Sequence, residues 1–198
     1  MSLASNALIT VKEFKALANL SVDNENVDDK AIEAFVNSAS QIIEEYCNRK
    51  FITPSDAIAE IFDGDGQKDV YVEHRRIADT PVLEYWDGTA WQTMTTTQYP
   101  RSFDGDKGRV WLNNGAKFST GQDNYRVTYK YGWVRASIPN SLKLTCAQIT
   151  HRQMTRMLEG KEGKKQENFE TGSTIWQLEP LSDDIKEALA TYRRIAIG

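Results

Sequence analysis

The side chains best suited to chemistry are few in this chain, and their spacing does not suit catalysis. There are two histidines, His74 and His151, and two cysteines, Cys47 and Cys146. His74 lies in Glu73-His74-Arg75-Arg76 and His151 beside Arg152, and neither has a ligand-type neighbour at metal-binding spacing. Asp63-Gly64-Asp65-Gly66 and Asp104-Gly105-Asp106 have the acid density of a calcium loop. Such a loop needs ligands at alternate positions, a glutamate at the twelfth, and a helix on each side. The flanks here alternate like strands, so these acids are expected to shape turns. No G-x-S-x-G elbow, G-x-x-x-x-G-K-[ST] loop or G-x-G-x-x-G run is present. The expected catalytic, cofactor-binding and metal-binding residues are therefore none, and the chain reads as a non-enzyme.

Aromatic residues supply the remaining candidate chemistry. Tyr71, Tyr85, Trp86, Trp91, Tyr99, Trp111, Tyr125, Tyr129, Tyr131 and Trp133 crowd the middle of the chain. An aromatic sheet can stack sugars or single-stranded nucleic acid. Basic residues interleave sparsely, however, at Arg109, Arg126 and Lys130, and a small sheet needs large rings for its own core. Packing is the expected role, and a carbohydrate- or peptide-binding β module is the alternative.

The elements that position these residues follow from periodicity. Thr10-Val11-Lys12-Glu13 has capping-box spacing, and Val11, Phe14, Leu17 and Ala18 then recur as in a helix to about Asn19. Asp28 or Asp29 caps a second helix, in which Ile32, Phe35, Val36, Ala39, Ile42, Ile43, Tyr46 and Cys47 hold one stripe. Its opposite face carries Glu33, Asn37, Gln41, Glu44 and Glu45. After Pro54 the period shortens to 2, and strands are expected near Ile58–Phe62, Val70–Val72, Pro81–Trp86, Arg109–Leu112 and Tyr125–Tyr131. Asp87-Gly88 predicts a hairpin with Trp91 across it. Pro139 suits the first turn of a third helix. On that helix Leu142, Cys146, Ile149 and Met157 form one stripe, while Ala147, Met154 and Leu158 form a second. Residues 160–172 break the pattern with a polar, glycine-bearing run, and Ile175-Trp176-Gln177-Leu178 is an apolar knot. Pro180, Ser182, Asp183 and Asp184 open a last helix with Ile185, Ala188, Leu189 and Tyr192 inward and Arg193-Arg194 at its end. The expected fold class is α+β: a bundle of about four helices from residues 1–56 and 133–198, interrupted by an antiparallel β module at 57–132.

With 198 residues, the chain needs no disulfide or metal staple to bury a core. Its net charge of −4 argues against broad non-specific grip on nucleic acid, and is compatible with an acidic channel through which DNA passes without sticking. No apolar run approaches a membrane span, and the opening residues lack the layout of a secretory signal. The two cysteines are expected to be small buried hydrophobes in a protein made in the cytoplasm.

Several segments, in order, resemble the head–tail connector (adaptor) proteins of long-tailed bacteriophages, which complete the head beneath the portal. They are Leu8-Ile9-Thr10-Val11-Lys12-Glu13-Phe14-Lys15; Ile42-Ile43-Glu44-Glu45-Tyr46-Cys47-Asn48-Arg49-Lys50-Phe51; Val127-Thr128-Tyr129-Lys130-Tyr131-Gly132-Trp133; Ile138-Pro139-Asn140-Ser141-Leu142-Lys143; and Leu189-Ala190-Thr191-Tyr192-Arg193-Arg194. The resemblance implies a virion structural protein at the head–tail interface, synthesised in the bacterial host cytoplasm. It implies a homo-oligomeric ring, commonly dodecameric, with the portal on one side and a tail or stopper (head-closure) protein on the other. The ring would surround the DNA ejection channel with no membrane partner and no cofactor. The family carries no catalytic residues across, and the β insert departs from its shortest, nearly all-helical members. Within that frame Ile175, Trp176, Leu178, Met154, Leu158, Arg193 and Arg194 are the expected partner-interface residues. Glu33, Glu44 and Glu45 are the expected channel-facing ones.

Overall fold

The computed structural model describes residues 2–18, 28–97, 99–158, 166–169, 172–175 and 181–193, with 158, 166–169 and 172–175 described as backbone alone. The chain divides into two compact units, 1–50 with 137–198, and 51–136. Among the described residues no helix is long and apolar enough to cross a membrane.

The first unit is helical. Its helices are α1 (Val11–Leu17), α2 (Asp29–Cys47), α3 (Asn140–Leu158) and α4 (Asp183–Ala190). The Thr10–Glu13 capping box forms in both directions, and Asp28 caps α2 by accepting from the Lys30 amide. Asn48 ends α2 in the left-handed region, where a short polar side chain is tolerated. Pro139 lies one residue before α3, where its carbonyl accepts from the Lys143 amide. The α2 stripe packs inward through Ile32, Val36, Ala39, Ile43 and Cys47, against a core that includes Phe14, Leu142, Cys146, Ile149, Ile185 and Leu189. Ala188 is exposed rather than inward, because the short α4 buries only Ile185 and Leu189. Both cysteines are buried free thiols, each pushed up to about 11 by loss of hydration.

The second unit is a two-sheet β module. Strands β1 (Ile58–Gly64), β7 (Gly121–Tyr129), β3 (Val82–Trp86) and β4 (Trp91–Thr93) form one antiparallel sheet in that order. Strands β2 (Asp69–Tyr71), β6 (Arg109–Leu112) and β5 (Arg101–Asp104) form the other. Alternation along β7 puts Tyr125, Val127 and Tyr129 inside, where they share one core with Leu83, Met94, Phe118, Val70, Val110 and Leu112. The Asp87-Gly88 hairpin forms as the sequence predicts, pairing Trp86 with Trp91.

Entry and exit of this module meet, as any insertion within another fold requires. The Trp133 amide donates to the Phe51 carbonyl at 2.7 Å, the Thr53 amide donates to the Trp133 carbonyl at 3.0 Å, and the two rings stack at 5.9 Å. Gly132 makes the closure possible. Its φ is +85°, and a Cβ there would lie 2.6 Å from the Phe51 carbonyl oxygen. A further strand pair, β8 (Gln166–Phe169) with β9 (Gly172–Ile175), lies between α3 and α4 in the chain.

Candidate assembly site

The polar face of α2 is where tertiary structure changes the reading most. Asn37, Ser40 and Glu44 succeed one another along the helix, and all three bind the segment before α1. Asn37 Oδ1 accepts from the Ala4 amide at 2.8 Å, Ser40 Oγ from the Leu8 amide at 3.0 Å, and Glu44 Oε2 from Asn6 Nδ2 at 3.0 Å. These bonds lay Ala7, Leu8 and Ile9 into the core with no exposed surface. Glu44 is 4% exposed and pairs with Lys50 at 2.8 Å. The expectation that Glu44 faces a channel is therefore corrected: a carboxylate already enclosed within one copy has no face to offer solvent. Glu33 is half-buried, while Glu45 is exposed and accepts from Gln41 at 2.8 Å.

Two other ionic contacts tie the helical unit together. Lys143 Nζ reaches Glu13 at 2.6 Å, and Lys15 Nζ reaches Asp29 at 2.8 Å with the lysine almost wholly covered. Burial by itself would raise the Glu13 carboxyl, but Lys143 and the Thr10 amide and hydroxyl outweigh it and hold the group below its ordinary range. Arg152 binds Ser182 and lies 3.4 Å from Asp184, fastening α3 to the start of α4.

Met154 is 9% exposed, so the second apolar stripe of α3 is consumed largely within the chain and Met154 is withdrawn as an interface anchor. Met157, expected on one stripe with Leu142, Cys146 and Ile149, is 54% exposed while those three are buried. Arg193 is exposed, with its guanidinium 5.3 Å from the centre of the Tyr46 ring. Ile175 ends β9 and Leu158 ends α3, their side chains lying outside the described set; Trp176, Leu178 and Arg194 lie outside the described residues altogether.

On the β module the tryptophans are largely spoken for. Arg126 lies 4.7 Å over Trp91 and pairs with Glu84 at 2.6 Å; Arg109 lies 5.0 Å over Trp111 and pairs with Asp69 at 2.7 Å. Arg76 does the same with Trp133 and Asp106, at 4.4 and 2.9 Å. Each unit places a cation on the electron-rich ring face and neutralises it with a carboxylate. Two of the sparse basic residues seen in the sequence, Arg109 and Arg126, thus cover ring faces that a stacking ligand would need, while Lys130 donates to the Ser55 carbonyl. What stays open is apolar surface: Ile61, Val82 and Trp86 share the outer side of the four-stranded sheet by register and are 53%, 42% and 42% exposed.

The two acidic turns do turn work. Asp63 Oδ1 accepts from the Asp123 amide, Asp65 Oδ1 from the Gln67 amide and Asp104 Oδ1 from the Lys107 amide. Among the described residues no cluster of metal-ligating side chains exists. His74 stacks on Tyr131 at 4.1 Å, while its amide donates to the Tyr129 hydroxyl, which donates in turn to Glu60. Burial and that carboxylate push the Tyr129 phenol upward, leaving it a fixed structural donor.

Comparison with solved structures finds the same fold in chains of a gene transfer agent. A chain from "Virion of native gene transfer agent (GTA) particle" matches with a TM-score of 0.62 and 12% identity. Chains from "Neck of empty GTA particle computed with C6 symmetry" and "Neck of native GTA particle computed with C12 symmetry" match at 0.61 and 0.59, also at 12% identity. In all three, the alignment covers 100% of this chain and 96% of the other. No curated protein matches in sequence. The profile of the family described as Head completion protein matches residues 7–195. With nearly the whole sequence accounted for, this protein belongs to the head completion protein family, and its role is the structural one of a head–tail connector.

Proposed function

We propose that the chain is one subunit of a closed homo-oligomeric ring at the head–tail interface of a virion. The ring sits between the portal and a tail or stopper protein, and DNA passes through it without sequence-specific contact. The observation that carries this reading is the end-to-end correspondence with chains of particle necks solved under sixfold and twelvefold symmetry. The protein works by joining surfaces and carries out no catalysis.

Contact between copies and with the portal draws on Ile175, Trp176, Leu178, Leu158, Arg193 and Arg194, joined by the open apolar side chains Ile61, Val82 and Trp86. Glu33 and Glu45 supply acid to the channel wall, where repulsion of phosphate acts over about 8 Å at physiological salt. A carbohydrate- or peptide-binding module is less well supported, since arginines cover the faces of Trp91, Trp111 and Trp133.

Native mass spectrometry of the purified chain, alone and mixed with portal, tests the ring. The expected result is a discrete oligomer on the portal, and particles lacking the chain should stall as tailless heads. Normal tailed particles without it would end the proposal. Glu33→Lys with Glu45→Lys should slow DNA ejection, and unchanged ejection removes the channel assignment.

A further inference from the structure

The hairpin of β8 and β9 forms a two-stranded sheet of its own. Its strands pair throughout, from Gln166 opposite Ile175 to Phe169 opposite Gly172, and neither is paired with any other described strand. A lone two-stranded hairpin is marginal in water, and each of its outer edges is a row of unpaired backbone donors and acceptors.

Which groups are unpaired follows from the register. Phe169 and Gly172 close a two-residue connection, so they form a hydrogen-bonded pair. Bonding alternates along an antiparallel ladder, which makes Asn168 opposite Ser173 a non-bonded pair. The N–H and C=O of Asn168 therefore point away on the β8 side, and those of Ser173 on the β9 side. Neither strand contains lysine or proline, residues that commonly blunt a free edge.

We propose that these hairpins pair with one another around the ring, the β9 edge of one copy against the β8 edge of the next, to make a continuous closed band of strands. This inference rests on the ring reading above. Rotational symmetry points every hairpin the same way, so β9 of one copy and β8 of the next run antiparallel. A second copy is the occupant because the count of edges demands it. Each subunit offers one edge of each kind, and a closed ring satisfies all of them; docking onto one strand of another protein leaves the second edge bare. Charge permits the crowding. Lys161, Lys164 and Lys165 balance Glu162, Glu167 and Glu170, so residues 161–175 carry no net charge and like segments do not repel in bulk.

Residue-resolved amide exchange on rings recovered from particles, compared with single purified copies, tests the band. The Asn168 and Ser173 amides should exchange freely in single copies and on the order of tenfold or more slowly in the ring. Rings whose Asn168 and Ser173 amides stay fast overturn the inference and leave the ring reading standing. Slowing that appears only with portal or tail protein bound overturns it in favour of a different occupant. Particles without any ring of this chain overturn both. Asn168→Pro combined with Ser173→Pro removes only outward donors, keeping the hairpin's own ladder. It should weaken ring association about tenfold while circular dichroism of the single copy is unchanged, and a ring of undiminished stability also overturns the band.

Discussion

The two units solve the same problem, hiding apolar surface, by opposite use of polar side chains. In the helical unit, polar groups are drawn inside to fasten one segment to another: Ser40 is fully buried and Glu44 nearly so, each holding the stretch before α1. In the β module, charged groups stay nearer the outer faces, where the guanidinium groups of Arg76, Arg109 and Arg126 lie over tryptophan rings and pair with acids. The difference follows from geometry. A helix offers a groove that a neighbouring segment can fill, whereas a sandwich seals its core between two sheets and leaves its outer faces to be dressed. Buried polar bonds should therefore matter more to the helical unit, and backbone closure more to the module.

The strongest test of that contrast truncates each core. Ile43→Ala and Leu83→Ala, both at fully buried sites, should each cost about 2–5 kcal/mol. In urea titrations Ile43→Ala should shift the far-UV helical signal first and Leu83→Ala the near-UV aromatic signal. Identical shifts in both signals for both variants would break the division into units. Gly132→Ala comes next. The strained φ and the clash with the Phe51 carbonyl predict a loss of about 1–3 kcal/mol or more, read as a lower aromatic unfolding midpoint. An unaltered midpoint would mean that the closure of the module's ends contributes little.

Smaller effects sharpen the comparison. Ser40→Ala leaves the Leu8 amide without its partner and should cost about 1–3 kcal/mol, with faster exchange at Leu8. Arg126→Leu, at a partly exposed stack, should cost less than Ser40→Ala and red-shift tryptophan emission. A larger loss for Arg126 than for Ser40 would reverse the contrast. The least effect is pH-dependent. Because Glu13 titrates below its ordinary range when folded, its stabilisation is fully present above that range and disappears as pH falls through the folded value. Glu13→Gln should therefore flatten the stability profile below about pH 4.5 and change its shape little near neutrality; an acid limb as steep as the parent's would show that other carboxyls govern it.

Much of the fold was legible because its signals are local. The 3.6-residue stripe of α2, the period of 2 along Tyr125, Val127 and Tyr129, the Thr10–Glu13 box and the Asp87-Gly88 turn each lie within a few residues of chain. The assembly residues were less legible. Glu44 looked solvated because Glu33, Asn37, Gln41 and Glu45 lie on the same side, and nothing nearby announces a segment 38 residues upstream. Met154 looked spare because α3 carries apolar residues on more than one face, and periodicity cannot say how many faces are covered. Phe51 and Gly132-Trp133 were visible as family anchors, but their common purpose, clamping the two ends of the β module, needed coordinates.

The order of residues by itself settled that helix gives way to strand after Pro54, that Thr10 and Asp28 cap and Asp87-Gly88 turns, and that the α2 stripe and alternate residues of β7 face inward, since backbone sterics and side-chain period act over one or two turns. Only the tertiary structure decided which polar groups are enclosed and which rings are covered. Those outcomes depend on partners such as Leu8 with Ser40, 32 residues apart, and Glu13 with Lys143, 130 apart. Such pairings exist only once packing has excluded water, and excluding water is what makes an unpaired polar group too costly to leave.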